Sequence, residues 1–271
     1  MNLYCLAVAL AFTLLQCCAQ NITGTVGAKS WMLGGTAVAH KDLWSVNNNP
    51  AAFTSLQNTQ FGLYSEERFN ENNLRLANLS VVVPSKHVHV GAALTYFGYS
   101  VFNQQKLGVS LSKALGQSFS LGVQLNYVST FIEQQGHAGN IATAVGILAT
   151  PIPKLRIGFM LFNPTQNSYG TYTTEKIPSY GKMGCVYDVS EKVALHAEAH
   201  QILNQQLSWR GGVYYAIHDA VHLAVGAATQ PAYYTFGTTL LMKSMKLDMA
   251  ASFHEVLGFT PHVGCSIPVS R

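Results

Sequence analysis

His196, Glu198 and His200 stand at i, i+2 and i+4 of one alternating segment, so in an extended strand all three side chains project from the same face. Two imidazoles and a carboxylate on one wall are residue types that can bind a divalent cation or relay protons. A metal site usually needs further ligands converging from other elements, whereas a polar inner wall is ordinary in a membrane barrel. The expectation is therefore a polar cluster in a lumen, with no metal and no cofactor. The familiar hydrolase and nucleotide motifs are missing from the sequence: Gly-x-Ser-x-Gly, His-Glu-x-x-His and the phosphate-binding glycine loop. The 12 acidic residues form no general acid and base pair at readable spacing, so the chain is expected not to be an enzyme. Lys106, Arg156, Lys182, Asp188, Arg210, Lys246 and Asp248 are expected to face the same interior, because a charge facing lipid at the midplane costs about 2 to 4 kcal/mol.

Such residues need elements to hold them, and composition narrows the choice. Of 271 residues, 48% are hydrophobic and only 10% charged, against roughly a quarter charged in an ordinary soluble domain. A formal charge of +4 is too dilute for a nucleic-acid surface, which needs clustered Lys and Arg. Thirteen Phe, 13 Tyr and 3 Trp are more aromatic surface than a disordered coil carries. Beyond the N-terminus no apolar run approaches the roughly 20 residues of a membrane helix.

Period-2 alternation begins near residue 59. Phe119, Leu121, Val123, Leu125 and Tyr127 fall on one face, and Ser118, Ser120, Gly122, Gln124 and Asn126 on the other. An apolar-Gly-apolar signature recurs around Gly108, Gly122, Gly146, Gly158, Gly226 and Gly264, each glycine on the less apolar face. Inside a barrel such glycines make room for neighbouring side chains or for a plug. About fourteen segments can be counted: 59–66, 73–83, 87–98, 104–113, 117–130, 139–150, 154–163, 180–189, 192–202, 206–217, 220–229, 232–243, 246–255 and 260–269. The expected fold is all-β, a transmembrane antiparallel β-barrel of about 14 strands with an N-terminal plug or hatch segment. A soluble sandwich is the alternative, but many segments exceed its usual five or six residues. Tyr96, Tyr127, Trp209, Tyr214, Tyr215, Tyr233 and Tyr234 lie near segment ends, where aromatic girdles belong, and short turns are expected to alternate with longer loops, the longest from Asn163 to Tyr180.

Leu6 to Leu15 form an apolar block of signal-peptide length, with Cys17 and Ala19 suiting cleavage before Gln20. A lipoprotein site at Cys17 or Cys18 is the rival, weakened by bulky Gln16. The expected organisation is residues 1–19 signal peptide, 20–58 plug or hatch, and 59–271 barrel, exported to the outer membrane of a Gram-negative bacterium. Three of the five cysteines leave with the signal; Cys185 and Cys265 remain, too few for a disulfide scaffold.

From Met32 to Phe53 a Gly-Gly-x-Ala-x-Ala stretch, opening at Gly34 and Gly35, precedes Asn49-Pro50-Ala51. This run resembles the N-terminal signature of the FadL-like outer-membrane barrels, and more closely the PorV and PorQ branch from Bacteroidetes. The resemblance implies a segment that plugs or lines the periplasmic mouth. It further implies a non-enzymatic role in type IX secretion, with outer-membrane lipids, secretion-system components and secreted cargo as partners. The alternative it implies is a channel or binding protein for hydrophobic small molecules such as fatty acids, gated by the same segment. The secretion role is the first expectation. A transporter should hold a continuous apolar pocket, and a secretion component should expose apolar loops, with Asn163 to Tyr180 the best candidate. Asn49 before Pro50 is biased toward extended backbone, and Asn side chains can satisfy backbone groups stranded in a lumen; an ordinary Asn-Pro turn is the plainer reading.

Overall fold

A computed structural model of the protein describes residues 22, 24–170 and 176–269; the expected signal peptide lies outside them. Fourteen strands are present, each bound within three residues of the periodicity-based one: β1 (Thr59–Glu67), β2 (Arg75–Val83), β3 (His89–Gly98), β4 (Phe102–Leu115), β5 (Phe119–Ile132), β6 (Gly136–Ile152), β7 (Leu155–Phe162), β8 (Tyr180–Asp188), β9 (Val193–Ile202), β10 (Ser208–His218), β11 (Val221–Thr229), β12 (Ala232–Leu241), β13 (Lys246–His254) and β14 (Gly258–Val269). Each pairs antiparallel with its sequence neighbours, and β1 pairs with β14, closing the barrel. Closure leaves no edge strand with unpaired backbone groups, which is what a sheet in hydrocarbon requires. None of the described helices is long and apolar enough to cross a membrane.

The two faces separate by side-chain parity. On β5, Leu121, Val123, Leu125 and Tyr127 point outward and are exposed, while Ser120, Gln124, Asn126 and Val128 are buried inside. Equivalent exposed rows run around the wall, including Leu63, Leu107, Val109, Val225, Phe236 and Val263. So large a continuous apolar belt is incompatible with water and matched to acyl chains. Leu125, 55% exposed at mid-strand, gives a direct check. Leu125→Arg is expected to destabilise the barrel by about 2–4 kcal/mol in lipid vesicles, read from urea unfolding of refolded protein; no change would place that wall against water or a second protein layer.

Two features differ from expectation. Tyr96, Tyr127, Trp209, Tyr215 and Tyr234 are exposed on the outer wall, but Tyr214 and Tyr233 point inward, where the Tyr214 hydroxyl meets His222 Nδ1 at 2.5 Å and Tyr233 donates to Gly34 O at 3.1 Å. Adjacent strand residues face opposite ways, so only one member of each Tyr-Tyr pair can join a girdle. Nor do connection lengths alternate cleanly. One end carries 84–88, 116–118, 153–154, 189–192, 219–220 and 242–245, while the other has 99–101, 133–135, 230–231 and 255–257, equally tight, besides 68–74, 203–207 and the single long connection 163–179.

The described residues before β1, 22 and 24–58, occupy the barrel interior. Among these described residues are two short helices, α1 (Ala28–Trp31) and α2 (Ser45–Asn48), and a 3-10 turn at Ala52–Ser55. Met32, Leu33, Leu43, Trp44, Val46 and Phe53 are all essentially inaccessible. The segment runs from the end of the barrel that bears 163–179, where Ile22 N–H donates to Gln104 Oε1 at 3.2 Å, to the other end, where His89 Nε2 contacts Leu56 O at 3.1 Å. The next strand then starts at Thr59.

Candidate functional site

Glycines of the inner wall let this segment lie against backbone. A β-carbon at Gly212 would stand 2.7 Å from Leu33 Cα, and one at Gly237 2.8 Å from Met32 Cβ. At Gly122 it would overlap the Pro50 carbonyl, at Gly158 that of Val38, and at Gly226 the Gly34 amide. Gly108 is different: its space is taken by Asn126 and Gln124 from the neighbouring strand. Gly34 combines both demands on glycine. Its φ is +70°, and a β-carbon there would fall 2.5 Å from Ala227 O.

Inward side chains then satisfy the segment's backbone. Glu198 Oε2 accepts the successive amides of Ala37 and Val38 at 2.7 and 2.8 Å. Thr235 Oγ1 accepts Gly34 N–H at 2.9 Å and donates to Met32 O at 3.1 Å. Gln124 Nε2 donates to Val46 O at 2.7 Å, and Asn47 Nδ2 to Ser80 Oγ at 2.9 Å. The asparagines complete the lattice. Asn48 exchanges two bonds with Val26 at 2.7 and 3.0 Å, while Asn49 Nδ2 donates to Val38 O at 2.6 Å and to Ile147 O at 3.0 Å. Asn49 Oδ1 accepts Ala51 N–H at 3.0 Å, and Asn49 itself is extended (φ −161°, ψ 104°). Short helices and turns leave many backbone groups unpaired, and these contacts are where those groups go.

The strand-borne trio His196, Glu198 and His200 is brought together as its spacing implies, but each member has a separate job. Glu198 holds the Ala37 and Val38 amides. His196 Nδ1 lies 2.9 Å from His40 Nε2, and His200 packs edge-on against Tyr180. Among the described residues no group of three or more His, Cys, Asp and Glu side chains is placed to hold a metal ion. The interior charges expected from sequence do face inward: Arg156 pairs with Asp188 at 2.8 Å and Lys246 with Asp248 at 3.2 Å, while Lys106 and Lys182 are buried.

A second cluster escapes sequence reasoning because its members lie on β1, β13 and β14. Ser252 Oγ is 3.0 Å from His262 Nε2, and His262 Nδ1 is 3.3 Å from Glu66 Oε2, the order of a serine nucleophile chain. The surroundings make it structural. The Tyr64 hydroxyl donates to Glu66 and lies 2.9 Å from His262 Nδ1, Arg68 Nε donates to Glu66 Oε1 at 2.6 Å, and Trp31 stacks on the His262 ring at 4.7 Å. Both imidazole nitrogens and both Glu66 oxygens are engaged in these contacts, and Ser252 is buried beneath them.

Toward the end bearing 163–179, inward Leu76, Phe97, Val128, Phe162 and Tyr180 share one buried apolar cluster with Ile22 and Val26, interspersed with polar Thr95, Gln104 and Thr130. Tyr169 and Ile177 of that connection point into this cluster and are 1% exposed, so they are not an outward apolar surface. Two concavities lie on the outer wall, one lined by Leu63, Leu79, Leu94, Tyr96 and Val263, the other by Leu195, Val213, Val225, Gly211 and Ala227. Cys185 and Cys265 are free thiols on the same outward parity.

Closed antiparallel architecture, a lipid-matched apolar belt and a filled lumen define a transmembrane-type β-barrel with an internal segment. Solved structures with the same fold include the CymD monoaromatic hydrocarbon channel (TM-score 0.73, 13% identity, 93% of this chain and 100% of that chain), the Pseudomonas putida toluene transporter TodX (0.66, 12%, 90% and 96%) and a Pseudomonas aeruginosa FadL homologue (0.67, 13%, 90% and 98%). The finer resemblance to the PorV and PorQ branch has no counterpart among these three. No family model and no curated protein matches the chain.

Proposed function

We propose that the protein is an outer-membrane channel or binding protein for hydrophobic small molecules, with residues 24–58 as a plug that must shift for a ligand to pass. The observation that carries this reading is the buried apolar cluster in which Leu76, Phe97, Val128 and Phe162 of the wall are joined by Ile22 and Val26 of the chain's own N-terminal segment. A ligand that takes their place keeps the apolar burial. By the usual disposition of such barrels the long connection 163–179 is extracellular and the opposite end, where the plug joins β1, is periplasmic. The hydrocarbon-channel neighbours favour this reading over the secretion role placed first on sequence grounds, and Tyr169 and Ile177 of the long connection are turned inward.

The test is to tether the plug. In a protein whose outward cysteines are replaced (Cys185→Ala, Cys265→Ala), Asn47→Cys and Ser80→Cys place two thiols where side chains now touch. Bridging them with a short bifunctional thiol reagent is expected to reduce uptake of propylbenzene into proteoliposomes at least about tenfold, while each single-cysteine control keeps its uptake. Undiminished uptake by the bridged protein would remove the plug from the pathway. Absence of protein-dependent uptake in every variant would defeat the channel reading itself.

A further inference from the structure

Among the described residues, several buried polar atoms inside the barrel have no hydrogen-bond partner, Arg68 Nη1, Asn126 Oδ1, Arg156 Nε and Asp248 Oδ2 among them, and four more lie together on one stretch of the wall. These four are Glu198 Oε1, His200 Nε2, Ser208 Oγ and Arg210 Nε. They are register neighbours: Glu198 stands opposite Arg210, and His200 opposite Ser208, on the adjacent strands β9 and β10. All four face the lumen by side-chain parity, and Glu198, His200 and Ser208 are more than nine-tenths buried. Opposed side chains on paired strands are about 5 Å apart at Cβ, so one small group can reach several of these atoms. Buried polar groups left unpaired are costly, and clusters of them mark a place for a guest.

The four atoms define the guest's chemistry. Glu198 Oε1 needs a donor, Arg210 Nε needs an acceptor, and Ser208 and His200 can serve either way. A carboxylate only accepts and would face Glu198, whose other oxygen already holds the Ala37 and Val38 amides. An ammonium only donates and would face Arg210 and Lys182, both directed at Thr25 Oγ1. A hydrocarbon supplies neither. A hydroxyl donates once and accepts twice, which answers both fixed requirements. Next to this polar patch on the way to the apolar cluster stands Tyr180, edge-on to His200 at 5.2 Å and stacked on Phe162 at 5.0 Å.

We infer that this patch is a subsite for the hydroxyl of a hydrophobic alcohol or phenol, with the apolar body lying toward Tyr180 and Phe162. The inference rests on the channel reading above and narrows its substrate class. Binding to the full chain in lipid nanodiscs, corrected with empty nanodiscs, is compared by calorimetry for 4-propylphenol, propylbenzene and 4-propylbenzoate. The phenol is expected to bind at least about tenfold more tightly than either analogue, the discrimination a site built around one hydroxyl provides. The double variant Ser208→Ala, His200→Phe removes two atoms that make no protein hydrogen bond, so folding is expected to persist, monitored by heat-modifiable migration on gels. In it the preference is expected to fall below about threefold. Equal affinities, absence of phenol binding, or a preference the double variant leaves intact would each overturn the inference, leaving the patch to ordered water. Protein-dependent uptake of propylbenzene is the separate readout: uptake that persists without phenol preference sinks this inference alone, and loss of all uptake sinks the channel reading.

Discussion

Gly122→Val is expected to dislodge the N-terminal segment from the middle of the barrel while leaving the fourteen strands closed. The clash it creates is with the Pro50 carbonyl and Ala51 amide, backbone atoms that cannot swing aside as a side-chain tip would. Asn49, next in the chain, is fixed by Val38 and Ile147 on either side, so the strain spreads through the lattice. Overpacking of this kind costs about 1–3 kcal/mol and more where backbone must move. The wall itself tolerates the change, because valine suits a strand and Gly122 keeps its pairing with Ser112 and Gly146. The measurement is limited proteolysis in detergent: cleavage within residues 24–58 should become fast in the variant and stay slow in the wild type, with unchanged heat-modifiable migration. Gly181→Ala is the control, since its β-carbon meets the tip of the Leu161 side chain at 3.2 Å and Met160 O at an ordinary 3.9 Å. Equal protection of Gly122→Val and wild type would mean that the segment is not seated on this glycine.

Strand positions were legible because a two-faced strand writes its environment into alternate residues. The row Leu121, Val123, Leu125, Tyr127 against Ser120, Gly122, Gln124, Asn126 survives intact as outer and inner wall. Where the reading failed, it had set parity aside. Tyr214 and Tyr233 were counted with the girdle by their nearness to segment ends, although each adjoins another tyrosine and therefore must face the other way. Loop lengths misled for another reason: turns of two to five residues can close a hairpin at either end, so only 163–179 carries a strong end-to-end difference.

The site was less legible, because its bonds join residues far apart in the chain. Nothing local in Gly34 announces Thr235, 201 residues away, as its partner, and nothing in Ala37 announces Glu198 at a separation of 161. Asn49 could be marked for capping backbone groups, whereas the serine, histidine and glutamate set of β1, β13 and β14 exists only once the barrel closes. The polar trio on β9 was visible as residues sharing a face, but a face does not say whether its occupant is a metal, water or main chain. The answer for Glu198 came from the segment laid against it.

Glu198→Ala should therefore have the largest effect of any single inner-wall substitution. It strips two buried amides, Ala37 and Val38, of their acceptor at once. An unpaired buried donor costs about 1–3 kcal/mol, and two beside a vacated volume reach about 2–5 kcal/mol, enough to loosen the segment in a protein of ordinary stability. Glu198→Gln retains one carbonyl oxygen that can accept both amides and should recover at least half the loss, which separates the acceptor's contribution from that of the charge. Amide exchange reads the consequence at the right atoms: Ala37 and Val38 should lose about 30-fold or more of their protection in the alanine variant, with strand amides of β4 and β5 unaffected. Exchange at those two amides that stays as slow as in the wild type would show that the segment is held by its apolar packing, around Trp44 and Phe53, and that the carboxylate is dispensable to it.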